Sequence, residues 1–167
     1  MTNLLHTHRA AMRSARRAFT LVELIAVLVV LAILSGVALP KYFDYTARAK
    51  ASAMQGTLGG MRTAISNFYV NSALDGTASY PTIEELETLG TVMQEPIPAN
   101  PYNGFTDVIE ANRNQANNRR VRRNTNAGWR YYVDNSTTPP TYILYANSDD
   151  ETTVEDENGD QISANNL

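Results

Sequence analysis

Cysteine is absent from the 167 residues, so the chain has no disulfide framework, no thiolate nucleophile and no lipobox for lipidation. Histidine is confined to His6 and His8, which leaves no imidazole for acid–base or metal chemistry in the remainder. There is no glycine-rich phosphate loop and no paired metal motif. These absences remove the common catalytic constellations, and the chain reads as a protein that is not an enzyme. Acid is missing from the first 22 residues, where Arg9, Arg13, Arg16 and Arg17 stand unopposed. All seventeen Asp and Glu come later, against ten of the fourteen Lys and Arg.

Behind that basic leader, Phe19 to Leu39 is an apolar run interrupted by a single charge, Glu23. About 21 residues at 1.5 Å rise span roughly 31 Å, which matches the hydrocarbon core of a bilayer. The arginines put the N-terminus in the cytoplasm and send the acidic remainder across the membrane. A carboxylate in such a segment costs roughly 2.5–3.5 kcal/mol even on lenient insertion scales, so Glu23 needs a partner. Three readings of the run compete. A secretory signal peptide cut after Gly36-Val37-Ala38 has the right basic start, but the run exceeds an h-region of roughly 7–15 residues and Glu23 lies inside it. A plain single-pass anchor explains the length and leaves Glu23 unexplained.

The third reading uses both features. The string Ala18-Phe19-Thr20-Leu21-Val22-Glu23, followed by an apolar helix, resembles the N-terminal segment of type IV pilins and type II secretion pseudopilins. The resemblance implies cleavage between Ala18 and Phe19 by a prepilin peptidase on the cytoplasmic face, and N-methylation of the new Phe19 terminus. It also implies an assembly role for Glu23, which becomes the fifth mature residue, a position that is acidic in the family. Pro40 becomes the twenty-second, where many members also carry proline, while Ala18 stands where the family usually has Gly. A new α-amine at Phe19 is as costly in lipid as the Glu23 carboxylate, and each offsets the other when paired. Within one chain the two lie about one helical turn apart. Between neighbouring subunits the same pair rewards the correct axial stagger, the best-attested use of a buried charge pair.

After Pro40 the pattern becomes one-sided. Ala47, Ala51, Met54, Leu58, Met61, Ile65 and Phe68 recur at spacings of four and three, predicting an amphipathic helix to about Ser72. Pro40 lacks an N–H and is expected to kink or loosen the helix locally. A turn-rich break follows, and Thr82-Ile83-Glu84-Glu85 reads as a capping box opening a short helix. Pro96, Pro98 and Pro101 exclude regular structure across Glu95 to Tyr102. Tyr80-Pro81-Thr82, with Ile97-Pro98-Ala99-Asn100-Pro101-Tyr102-Asn103-Gly104, is similar to the middle of the major G-type pseudopilins, with Asn100 and Tyr102 in place of their Asp and Trp.

Glu110 to Asn126 is poor in apolar residues and reads as an insertion loop. Its cluster Arg119, Arg120, Arg122 and Arg123 raises nucleic-acid binding as one reading. With no aromatic residue in the cluster and an acidic remainder, a solvated loop is the stronger one. Strands are predicted at Trp129 to Val133 and Tyr142 to Ala146, and an Asn158-Gly159 type I′ hairpin between Thr152–Asp156 and Asp160–Ser163. G-type pseudopilins bind calcium in a loop of this part of the domain, so the resemblance points to Ca2+, and Asp149 and Asp150, just after a predicted strand, are the candidate ligands. Against this, the spacing is not that of an EF-hand, and a solvated acidic hairpin remains the alternative.

The expected fold is α+β, type IV pilin-like: a long N-terminal hydrophobic-then-amphipathic helix packed on a small antiparallel sheet. Residues 1–18 are the leader to be removed, 19–39 the transmembrane and filament-core helix, 40–72 its amphipathic continuation, and 73–167 a periplasmic α+β domain. The resemblance implies a structural subunit of a type II secretion pseudopilus, a helical homopolymer working with minor pseudopilins and an inner-membrane assembly platform. The alternative is a type IV pilin of a surface fibre for adhesion, DNA uptake or motility.

Overall fold

The computed structural model describes residues 19–167; Ala18 and the rest of the leader expectation lie outside the described residues. The described chain falls into two compact units with a boundary between Lys41 and Tyr42, directly after Pro40. Among the described residues, helix α1 (Leu21–Leu74) supplies the whole of the regular structure in the first unit and opens the second. It keeps its helical assignment through Pro40, although the missing N–H leaves the Gly36 carbonyl without its usual donor.

In the first unit nothing among the described residues covers the helix. Every large apolar side chain from Phe19 to Leu39 is at least 52 % exposed. Burying each such side chain is worth about 1.5–3 kcal/mol, so a stretch of this length requires lipid or other protein around it. It is the one described helix long and apolar enough to cross a membrane.

In the second unit the amphipathic stripe is realised. Ala51, Met54, Leu58, Met61 and Ile65 are each no more than 2 % exposed, while Ala47 at one end is exposed and Phe68 at the other is half-buried. The stripe packs against Leu86 of α2 (Ile83–Glu87) and against Val108, Trp129, Tyr131 and Leu144 of a three-stranded sheet. That sheet is ordered β1 (Asp107–Glu110), β2 (Ala127–Asp134), β3 (Thr141–Ala146). β2 and β3 are antiparallel, with Trp129 opposite Ala146 and Val133 opposite Tyr142. β1 runs parallel to β2, so the sheet is mixed, where an antiparallel one was expected. The parallel step needs a crossover, and the residues between β1 and β2 provide it with a short helix, α3 (Arg113–Asn117), in the stretch expected to be wholly loop.

The expected C-terminal hairpin forms from β4 (Glu151–Glu155) and β5 (Gln161–Ser163), but with a different turn. A type I′ turn needs positive φ at both central residues. Here Gly159 has φ +87°, and the non-glycine residues with positive φ among those described are Ala78 and Arg119, not Asn158. Gly159 N–H bonds the Asp156 carbonyl, and Asp156 N–H bonds the Asp160 carbonyl at 2.9 Å, which is a three-residue loop with glycine at the left-handed position.

The irregular segments with proline are fastened to β2. Tyr131 donates its hydroxyl to the Pro81 carbonyl at 2.8 Å, and Trp129 Nε1 donates to the Pro98 carbonyl at 2.8 Å. Asn100, fully buried, donates its amide to the Gly128 carbonyl and accepts the Tyr102 N–H. Tyr80-Pro81-Thr82 and the Pro98–Gly104 element thus serve as clamps on the sheet. The fit is tightest at Gly128, where a Cβ would stand 1.9 Å from the Phe105 carbonyl oxygen. Gly128→Ala is therefore expected to lower stability by about 1–3 kcal/mol, read as an earlier loss of Trp129 fluorescence on heating. An unchanged unfolding midpoint would mean that the 100–105 segment is not held against β2.

Candidate functional site

The start of α1 is built by a reciprocal cap. Thr20 precedes the helix, and its hydroxyl accepts the Glu23 N–H at 3.2 Å. Glu23 Oε2 in return accepts the Thr20 N–H and the Thr20 hydroxyl, both at 2.9 Å. This is a capping box, legible in the sequence as Thr20-Leu21-Val22-Glu23 ahead of an apolar run, and the sequence reading missed it. It gives the carboxylate two local tasks. It satisfies donors that a helix end leaves open, and it places negative charge at the positive end of the helix dipole. Glu23 Oε1 has no partner among the described residues, so one carboxylate oxygen remains available for a cation from outside the chain. Phe19 is 81 % exposed, one residue ahead of the cap. Past the far end of the apolar stretch the sequence runs through Lys41 into the exposed rings of Tyr42, Phe43 and Tyr45.

Asp149 and Asp150 lie in the link between β3 and β4. The guanidinium of Arg123 is paired with the Asp149 carboxylate, and Ser148 donates its hydroxyl to Asp150. Arg123 holds the Asp149 carboxyl below the usual carboxylate range, and the same contact raises Arg123 above that of a free arginine. Calcium takes six to eight oxygen ligands. Here a cationic side chain already meets one candidate ligand, and no group of three or more His, Cys, Asp or Glu converges among the described residues. Asp149 is thus engaged by a guanidinium and Asp150 by a hydroxyl.

The arginine-rich segment is anchored from beneath. Asn147, 5 % exposed, accepts the Arg122 N–H at 2.7 Å and donates to the carbonyls of Arg122 and Ala127. Arg113 pairs with Asp134 at 3.2 Å. Asp134 is held below the usual range, first by the Ser136 hydroxyl and then by the Ser136 N–H. Asp156 in the hairpin turn is lowered in the same direction by the N–H groups of Asp160 and Asn158. Arg130 on β2 was not singled out in the sequence, since an arginine between Trp129 and Tyr131 reads as the solvent side of a strand. It is 2 % exposed beneath α3, and Nη2 donates to Gln115 Oε1 at 2.6 Å.

Comparison with known proteins bears on the N-terminal part. A family model described as the prokaryotic N-terminal methylation motif matches residues 13–39. The chain is 40 % identical over 63 residues to the type IV major pilin protein PilE of Neisseria gonorrhoeae, covering 38 % of each chain. It is 42 % identical over 60 residues to a fimbrial protein of Neisseria meningitidis, 36 % of this chain and 35 % of that one. The type IV major fimbrial protein FimA of Dichelobacter nodosus is 43 % identical over 54 residues, 32 % and 35 % of the two. The matches thus span little more than a third of these relatives. No solved structure matches the chain.

Two outcomes follow from the charged loops. Asp134, Asp149 and Asp156 have folded-state pKa values below their unfolded ones, so the stability they contribute is complete above about pH 4 and lost as pH falls further. Thermal unfolding of the full chain in detergent, followed by Trp129 fluorescence, is expected to show a flat midpoint from neutral pH to about 5 and a decline below about 4. In the same assay millimolar calcium and a chelator are expected to give equal midpoints. A rise of more than about 2 °C with calcium would mean that the ion displaces Arg123.

Proposed function

We propose that the chain is the structural subunit of a membrane-anchored filament of the type IV pilin class. The observation that carries this reading is the uncovered apolar start of α1, opened by a cap whose carboxylate is the only charge between Arg17 and Lys41. In this reading residues 1–18 are removed by a prepilin peptidase between Ala18 and Phe19, and Phe19 becomes the N-methylated terminus. Residues 19–39 hold the subunit in the inner membrane and later form the filament core. Pro40 marks the change from the lipid-facing stretch to the amphipathic stem of residues 40–72, and residues 73–167 form the periplasmic domain at the filament surface. The similarity to the methylation motif and to named pilins supports this assignment.

Glu23 then works twice. While the subunit waits in the membrane, its carboxylate caps the helix end through Thr20. During assembly the remaining oxygen meets the methylated amine of a neighbouring Phe19, and that contact selects the stagger between otherwise undirected apolar helices. Stacking of identical subunits without closure gives an open helical polymer. No catalytic step and no metal enter this proposal.

The kind of filament follows from two different observations. The named relatives are pilins and fimbrial proteins, which supports a surface fibre. The Tyr80-Pro81-Thr82 and Pro98–Gly104 clamps, with the absence of cysteine, support the second reading, a type II secretion pseudopilus with minor pseudopilins beside it. Immunogold labelling of intact cells separates them. Labelled fibres outside the cell support the first, while label confined to the envelope, with export of folded proteins lost on deletion, supports the second.

The processing step is tested by mass spectrometry of the N-terminus from native membranes. The expected terminus is N-methylated Phe19, with Glu23→Ala matured to the same terminus but absent from the sheared filament fraction. A terminus at Leu39 would show cleavage as an ordinary signal peptide and would end the filament reading.

A further inference from the structure

The crossover between β1 and β2 presents its arginines from a fixed backbone. α3 is capped reciprocally by Asn112 and Gln115. The buried Tyr145 directs its hydroxyl to the carbonyls of Gln115 and Arg120, at 3.3 and 3.0 Å, and Asn147 holds Arg122 by both its N–H and its carbonyl. Arg113 and Arg123 are engaged by Asp134 and Asp149, whereas Arg119, Arg120 and Arg122 have no carboxylate at ion-pair distance among the described residues. Under α3, Arg130 also has no acidic partner among them, and its buried Nε has no acceptor. A buried guanidinium without a counter-charge is costly to an isolated subunit and raises the positive potential of this face.

The other side of the sheet carries exposed acids on α2. Trp129 and Tyr131 enter the core shared with Leu86 of α2, while Tyr145 packs with Ala116 of α3 in a separate cluster, so α2 and α3 cover different faces. Glu84 and Glu87 of α2 and nearby Glu95 are exposed, and none forms an ion pair among the described residues. A basic face and an acidic face on one subunit are what a repeating, heterologous contact requires.

We propose that the Arg120 and Arg122 face of one subunit docks on the acidic α2 face, Glu84 and Glu87, of a second copy of this chain. The contact rests on the filament reading above and adds to it. Glu23 sets the stagger of the helices, and the charged faces set the pairing of the globular domains. Nucleic acid is the competing occupant of a basic face. It is disfavoured because the cluster holds no aromatic side chain for base stacking and two of its flanking arginines are already held by aspartates.

Charge reversal tests the contact in cells producing the full chain. Arg120→Glu with Arg122→Glu, and separately Glu84→Arg with Glu87→Arg, are each expected to cut the sheared filament yield about tenfold at low salt. All four substitutions in one chain are expected to restore it. Unchanged Trp129 fluorescence on heating shows that each variant is folded. Raised salt, which screens exposed charges, is expected to narrow the difference in yield between the wild type and the reversed pairs. Reversed variants that assemble as well as the wild type would overturn the contact, as would a fourfold variant no better than either pair. Normal yield with loss of bound DNA from the Arg120→Glu, Arg122→Glu filaments would overturn it in favour of nucleic acid. A wild type that makes no filaments would instead remove the filament reading itself, and this contact with it.

Discussion

A single run of backbone hydrogen bonds has to hold helix α1 in two surroundings, and most of the chain is arranged around that demand. Up to Leu39 the side chains are apolar on every side, and beyond Pro40 they are apolar on one stripe only. In hydrocarbon no water is available to satisfy a loose N–H or C=O, so the first turn is the weak point of such a helix. Thr20 and Glu23 close it from within. The residue that looks costly in an apolar segment is therefore also the one that completes the segment's hydrogen bonding.

The stem's second half serves a different requirement. Its buried methionines, leucine and isoleucine meet one face of a three-stranded sheet whose middle strand, β2, carries most of the organising contacts. Through Trp129 and Tyr131 that strand fastens the proline-bearing segments on the stem side, and through Arg130 it reaches α3 on the other. Gly128 belongs to the same scheme, since the close approach of Phe105 leaves no room for a side chain.

Sequence reading recovered what depends on period and on strong local chemistry. The stripe from Ala51 to Ile65, the Thr82 capping box, strands β2 and β3 and the C-terminal hairpin all have signals within a few residues. β1 escaped notice because four residues, Asp107 to Glu110, are too few to show alternation, and a parallel partner is chosen by a crossover rather than a turn. α3 did carry a local sign, Asn112 followed three residues later by Gln115, but the surrounding asparagines and arginines hid it. The Glu23 cap was written as plainly as the one at Thr82. It was passed over because the same residue had a more distant partner to explain it. The engagement of Asp149 by Arg123 was not legible at all, since it joins residues 26 positions apart across two loops.

The way the sheet closes on the stem also dictates an order of events in synthesis. Met54 to Ile65 are synthesised long before Trp129 and Leu144, the residues that cover them. Until β2 and β3 have been made, the stripe lacks its cover, and the parallel β1–β2 pairing cannot form without its crossover. Contacts so distant in sequence are slow to form because loop closure must come first. In the filament proposal, lipid holds α1 first, and its helical stripe offers later segments a surface to fold against. In that proposal the membrane thus acts as a folding template for the domain built on the stripe.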